Sequence, residues 1–220
     1  MLEIKMANRD LTIALNYHNS CLRLSDIDIL KTTEWLNDKL ISWYFEYLEN
    51  DIFNDERFLF IGTEVTQAIK LMEADEVNMI FLDPLKASER EFVFLPVNNH
   101  KYAEETGGSH WSLLVYSKAE MMFYNFDSSS NYNHSSCLQL VDKLKMAFKC
   151  SDAKLVDVDT LQQTNHYDCG ICVLANVDNA CQTISKSGSI KGVTKISHTK
   201  IATKRNDMLQ IIRDLGGIID

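Results

Sequence analysis

The chain has 220 residues with a formal net charge of −9, 45% hydrophobic and 24% charged residues, two prolines and eight glycines. That acidity argues against a broad nucleic-acid-binding face, which needs clustered Lys and Arg. No apolar run reaches membrane-spanning length, and the start Met1-Leu2-Glu3-Ile4-Lys5-Met6 lacks the apolar stretch of a signal peptide. The expectation is one folded domain over residues 1–220, monomeric, working in the cytoplasm or nucleus with no nucleic-acid or membrane partner. In that setting Cys21, Cys137, Cys150, Cys169, Cys172 and Cys181 read as reduced thiols rather than three disulfides.

Residues 1–30 read as an N-terminal segment packing on the main body, with Leu22, Leu24, Ile27 and Ile29 in extended or turn structure. The first helix is expected from Trp35 to about Leu48, because Leu36, Leu40, Ile41, Tyr44, Phe45 and Leu48 recur at helical spacing. Thr32 or Thr33 is its expected N-cap. Thr63 to Met72 predicts a second helix with Val65, Ala68, Ile69 and Met72 inward. Glu76 to Phe81 predicts a short third helix, stopped by Asp83-Pro84. Glu91 to Val97 is rich in Phe and Val and predicts a strand. The polar run Asn98 to Gly108, ending in Gly-Gly, predicts a mobile loop. Trp111 to Tyr116 and Met121 to Phe126 predict two further strands. Leu138, Val141, Leu144 and Phe148 form the stripe of a helix over 138–148, and Lys154 to Val158 alternates as a short strand. A nearly all-apolar, buried helix is expected from Gly170 to about Cys181. Residues 182–204, rich in Ser, Thr, Lys and Gly, predict a mobile loop, and Asn206 to Leu215 a last helix. Helices flanking a mainly antiparallel sheet make the class α+β.

The two strands around Ser117 to Glu120 predict a hairpin. A turn centred between Lys118 and Ala119, with a four-residue loop, sets Trp111 opposite Phe126 and His110 opposite Asp127. A carboxylate there orients an imidazole and stabilises its protonated form. The pair alone is better explained as a structural contact at a strand end. Cys169 alters that balance, since it stands at the first turn of a buried helix. There the helix dipole and a nearby imidazolium favour thiolate, the form in which sulfur attacks. The competing explanation is a small buried core residue. Asp168 is positioned to cap the helix, and Gly170 to let substrate backbone approach. Gln163, six residues before Cys169, is a candidate donor to an oxyanion beside the Cys169 amide, with Gln162 adjacent to it. Cys169-Gly170-Ile171-Cys172 also has the CxxC spacing of dithiol redox sites and of paired zinc sites; no second pair accompanies it, and the aromatic lead-in strand of a redox site is missing, so dithiol–disulfide chemistry is a minor alternative.

Gly107-Gly108-Ser109-His110-Trp111, then Phe126-Asp127-Ser128, then Gln163-x-Asn165-x-Tyr167-Asp168-Cys169-Gly170 resemble the Ulp/sentrin-specific cysteine protease family. Trp35-Leu36-Asn37-Asp38 resembles a further motif of that family, and the segment from Leu15 to Trp35 looks most like its deneddylase branch. The resemblance implies the papain-like fold of the Ulp/adenain type. It implies Cys169 as nucleophile, His110 as base and acid, Asp127 as orienter and Gln163 as oxyanion donor. It further implies that Trp35 and Trp111 wall a tunnel for the Gly-Gly tail of a ubiquitin-like modifier, and that Asp38 contacts substrate. The chain departs from the family pattern at Leu161, where proline is common, and in the polarity of 182–204.

The resulting expectation is a thiol protease and isopeptidase acting on a ubiquitin-like modifier and its conjugates, foremost the neddylation modifier. It needs no metal and no organic cofactor. The alternatives are a SUMO-directed protease, an acyltransferase on the same fold, and a non-enzymatic modifier-binding pseudoenzyme. Cys172 is additionally a candidate disulfide partner for Cys169 under oxidant, strained by its i, i+3 spacing.

Overall fold

The computed structural model describes residues 8–102 and 107–220. The N-terminal segment is a small hairpin, β1 (Ile13–Tyr17) and β2 (Ser20–Arg23), followed by helix α1 (Leu24–Leu30). Residues expected in extended or turn structure from Leu24 onward are thus helical. The Asp26 carboxylate explains the start: it accepts the Arg23 N–H at 2.8 Å and the Asn37 side-chain amide at 2.7 Å.

Helix α2 (Asp38–Tyr47) begins three residues later than the apolar spacing suggests, and its N-cap is Asn37 rather than a threonine. The Asn37 side chain accepts the Leu40 N–H at 3.0 Å, satisfying one of the orphan amides of the first turn. Trp35 and Leu36 are therefore in an extended lead-in, not on the helix.

A five-stranded sheet forms the centre: β3 (Phe58–Phe60), β4 (Phe92–Asn98), β5 (Trp111–Ser117), β6 (Met122–Phe126) and β7 (Lys154–Asp157), in that spatial order. Its middle pairs are antiparallel, and both edge pairs are parallel. Pro96 is tolerated for a local reason. Phe94 turns its carbonyl to the Ile61 N–H at 3.0 Å. Pro96, two residues on, faces the same way, past the end of β3, where no ladder bond is lost.

Alternation sends successive side chains to opposite faces. Phe92, Phe94, Leu113, Val115, Tyr124 and Phe126 join one core with α1, α2 and the C-terminal helices. Val93, Leu95, Val97, Leu114, Tyr116 and Phe123 join a second. This second core is closed by α3 (Thr63–Leu71) and α4 (His134–Ala147). Helices on both faces of this sheet give the α+β class.

Four further expectations change. On α3 the most buried face is Thr66, Ile69 and Lys70, while Val65 and Ala68 are half-buried. Lys70 is sealed in and donates its ammonium hydrogen bond to the Asn98 carbonyl; burial lowers its pKa to about 8. Between α3 and β4 the chain makes a helical turn at Ala74–Val77 and a wider one at Asn78–Leu82, instead of one helix over 76–81. On α4 the inward stripe is Cys137, Leu140, Val141 and Leu144, and Leu138 is 41% exposed. The helix starts four residues earlier than expected, and small Ser136 and Cys137 let its first turn lie on the sheet.

The largest change concerns 182–204. The nucleophile-bearing helix α5 runs from Cys169 to Ser187 and ends at Gly188, whose φ of +71° suits only glycine well. Helix α6 spans His198–Asp214, so only 188–197 lies outside helix. Polar composition misleads here because polar groups satisfy each other inside. Lys204, 5% exposed, donates to Tyr44 Oη at 2.6 Å and to Asp178, and Tyr44 in turn donates to Asp178 at 3.0 Å. The loop expected over 98–108 falls partly on 103–106, outside the described residues.

Candidate active site

The β5–β6 hairpin pairs Leu113 with Phe126 and Ser117 with Met122. Its four-residue turn is Lys118 to Met121, with Met121 at a φ of +52°. The expected pairings of Trp111 with Phe126 and of His110 with Asp127 are therefore two residues out of register. A slip of two keeps every side chain on its face. His110 consequently reaches Asp127 on the diagonal, and its Nε2–H donates to Asp127 Oδ1 at 2.6 Å.

Asp127 is built to stay ionised. The Ser129 N–H donates to it at 2.9 Å and the Asn133 N–H at 2.7 Å. Burial opposes its charge, but the His110 hydrogen bond, these amides and the imidazolium charge together lower its pKa. For His110, burial opposes the imidazolium, yet hydrogen bonds to Asp127 and Cys169 outweigh it and push the pKa up to about 9. With Nε2 committed to Asp127, Nδ1 is the nitrogen left for the Cys169 thiol. Cys169 itself is 2% exposed at the first position of α5.

Asn133, fully buried, ties this pair to the sheet. Its side-chain amide donates to the Val97 carbonyl at 2.9 Å, to Ser112 Oγ at 3.2 Å and to the His110 carbonyl at 3.4 Å. Nothing in an isolated Asn-His dipeptide signals that role.

The loop before Cys169 is a chain of side-chain hydrogen bonds. Ser128 Oγ donates to Gln163 Oε1 at 2.7 Å, and Gln163 Nε2 donates to the Asn165 carbonyl at 2.7 Å, leaving its second N–H. Gln162 is occupied elsewhere: it accepts the Ser130 N–H at 2.7 Å and donates to the Asp127 carbonyl at 3.0 Å. The two glutamines are thereby distinguished. Asp168 makes no side-chain cap to its helix. It accepts from Asn165 Nδ2 at 2.8 Å and from Arg205 at 3.3 Å. Gly170 makes room for Leu36, not for substrate: a Cβ there would stand 2.9 Å from Leu36 Cβ. Cys172 lies buried against Ser128, and desolvation raises its pKa to about 12.

Asp38 and Trp111 line one cleft of about 370 Å³, together with Thr63, Gln67, Asn98 and His100. Trp111 is half-buried at the start of β5, and Trp35 is 48% exposed on the extended lead-in outside that cleft wall. Among the described residues, no group of three or more His, Cys, Asp or Glu is arranged to hold a metal ion.

The model of the RickCE-like catalytic domain matches residues 102–210. Sentrin-specific protease 8 of Mus musculus is 35% identical over 207 residues, covering 92% of this chain and 93% of that protein. NEDD8-specific protease 1 of Arabidopsis thaliana is 31% identical over 91% of this chain and 88% of its own length. In fold, the C-terminal Ulp1 protease domain in complex with Smt3, the yeast ortholog of SUMO, superposes with a TM-score of 0.70 at 19% identity, over 93% of this chain and 88% of that one. Thiol, imidazole and carboxylate meet at one point, and these relatives match nearly end to end: the chain belongs to the Ulp/sentrin-specific family of cysteine proteases.

Proposed function

We propose that this enzyme removes the NEDD8-type modifier from its conjugates and matures its precursor, cutting after the terminal Gly-Gly. The sentrin-specific and NEDD8-specific names of its relatives support the modifier class. Cys169 is the nucleophile. The Cys169 proton is carried by His110 Nδ1 in the imidazolium, and the thiolate attacks the terminal glycine carbonyl. The remaining Gln163 N–H and the Cys169 amide, one of the helix's orphan donors, hold the oxyanion. His110 then protonates the departing lysine amine and activates the water that releases the modifier. Asp127 keeps the ring oriented throughout. Trp35 and Trp111 confine the glycine tail, and Asp38 contacts it from the shared cleft. The enzyme acts as a monomer in cytoplasm or nucleus, without nucleic acid or membrane.

The observation that carries this reading is the buried His110–Asp127 hydrogen bond at 2.6 Å beside Cys169 at the first position of its helix. A panel of ubiquitin-like modifiers with electrophilic tails tests it. The NEDD8 probe is expected to form an adduct on Cys169 fastest, and Cys169→Ala to bind that modifier without cleaving its C-terminal fusion. Faster labelling by the SUMO probe reverses the assigned specificity. Turnover by Cys169→Ala, or no labelling by any probe, removes the mechanism.

A further inference from the structure

Arg205 on α6 is far in sequence from every residue of the mechanism, and its side chain is only 13% exposed. Its guanidinium joins three separate segments. One terminal nitrogen donates to the Ile29 carbonyl at 2.9 Å. The other donates to the Glu34 carbonyl at 2.7 Å and to Asp168 Oδ1 at 3.3 Å. Glu34 directly precedes Trp35, and Asp168 directly precedes Cys169.

These contacts continue in two directions. Trp35 is flanked by two fixed residues. Glu34 is held by Arg205, and Leu36 is seated on the bare α-carbon of Gly170. An exposed indole is thus carried on a short strap anchored at both ends. In the other direction Asp168 holds Asn165, and the Asn165 carbonyl holds Gln163 Nε2. The Asn165 side chain also accepts the Tyr167 N–H at 3.1 Å and the Asp168 N–H at 3.0 Å, which shapes the turn between them. The relay therefore runs from α6 through Asp168 and Asn165 to the amide proposed as oxyanion donor.

We infer that Arg205 is a positioning residue that sets the Trp35 strap and the Gln163 loop relative to Cys169. The His110–Asp127 pair lies outside this relay. Arg205 can satisfy three acceptors because its planar fork presents several donors in fixed directions; an ammonium offers one point charge. The inference rests on the roles given above to Cys169, Gln163 and Trp35.

The test separates tail-directed chemistry from thiol reactivity. In Arg205→Ala, labelling of Cys169 by a modifier with an electrophilic tail is expected to fall on the order of 10²-fold, the cost of a small misplacement of reacting groups. Alkylation by iodoacetamide is expected to be unchanged, because it needs only the thiol and its imidazole. Arg205→Lys is expected to stay impaired, and ethylguanidinium to restore part of the Arg205→Ala rate. Equal losses for both reagents, or none for either, overturn the inference. If the wild-type protein fails to take the tail probe, the mechanism fails and hydrogen exchange decides the positioning claim. Faster amide exchange at Glu34–Asn37 and Gln163–Asp168 in Arg205→Ala upholds it, and unchanged exchange there refutes it.

Discussion

The two halves of the site are held in different ways. His110 and Asp127 are set by the sheet: the β5–β6 ladder fixes their spacing, and backbone amides of Ser129 and Asn133 hold the carboxylate. Cys169 and Gln163 depend more on side chains: beside the main-chain carbonyls of Ser128 and Asn165 that hold Gln163, Ser128 Oγ bonds the Gln163 amide, and Asn165 and Arg205 bond Asp168. A backbone donor survives almost any substitution, whereas a side-chain donor is lost with one. The imidazole half should therefore resist mutation of its supports, and the thiol half should be sensitive to residues that never touch substrate.

Paired substitutions expose that contrast most strongly. Gln163→Ala is expected to lower kcat by roughly 10²–10³, the usual loss for one oxyanion donor. Asn133→Ala keeps the N–H that binds Asp127 and loses only the side-chain contacts behind it. Its expected loss of kcat is clearly smaller, with the pH profile of kcat/KM retained. Steady-state cleavage of a modifier fusion by both variants decides the matter. If Asn133→Ala is the more damaging, the sheet-held half is not robust.

The charge pair gives a second, smaller effect, read in stability. Folded His110 has its pKa raised to about 9, above the roughly 6.5 of an unfolded imidazole. Its contribution is therefore complete below about pH 6.5 and is lost as pH rises through about 9. Asp127 is shifted the other way. Its contribution is present above the unfolded carboxylate value of about 3.9 and is lost as pH falls through the lower folded value. Urea midpoints measured across pH should show both limbs in the wild-type protein. Asp127→Asn should flatten them, because it removes the carboxylate and the main partner that raises His110. A variant profile parallel to wild type would falsify the coupling.

Which parts were legible follows from the kind of interaction involved. The sheet-held half was readable because alternation along β5 and β6 preserves side-chain facing even when the register is misjudged by two. Cys169 was readable because an apolar helix begins abruptly after a polar turn. The supports of the thiol half were not readable. Arg205 and Ser128 act through contacts between distant segments, and nothing in their neighbours marks those contacts; Asn165 bonds residues only two or three positions away, but composition does not show which groups it holds. The composition of 182–204 misleads for the same reason: Lys204 pairs with Asp178, a residue of a distant stretch, under α6. The apolar spacing that Leu36 continues predicts a helix that includes Trp35. Leu36 is buried by packing on Gly170 instead, ahead of the helix.

The smallest expected effect on activity concerns α4, which carries the sheet-held half from behind. Periodicity alone put Leu138 on the inward stripe, but it is 41% exposed, whereas Leu140 is fully buried. Leu140→Ala should cost about 2–5 kcal/mol, as for other buried leucines, by loss of transfer energy and creation of a cavity. Leu138→Ser should change stability by no more than about 0.5 kcal/mol, as for surface positions, and leave kcat untouched. Denaturant unfolding of the two variants measures the difference directly. Comparable losses at both positions would mean that α4 is rotated toward Leu138. The Asn133 amide at the mouth of that helix would then no longer be aligned on Asp127, and the backbone support assigned to this half of the site would go with it.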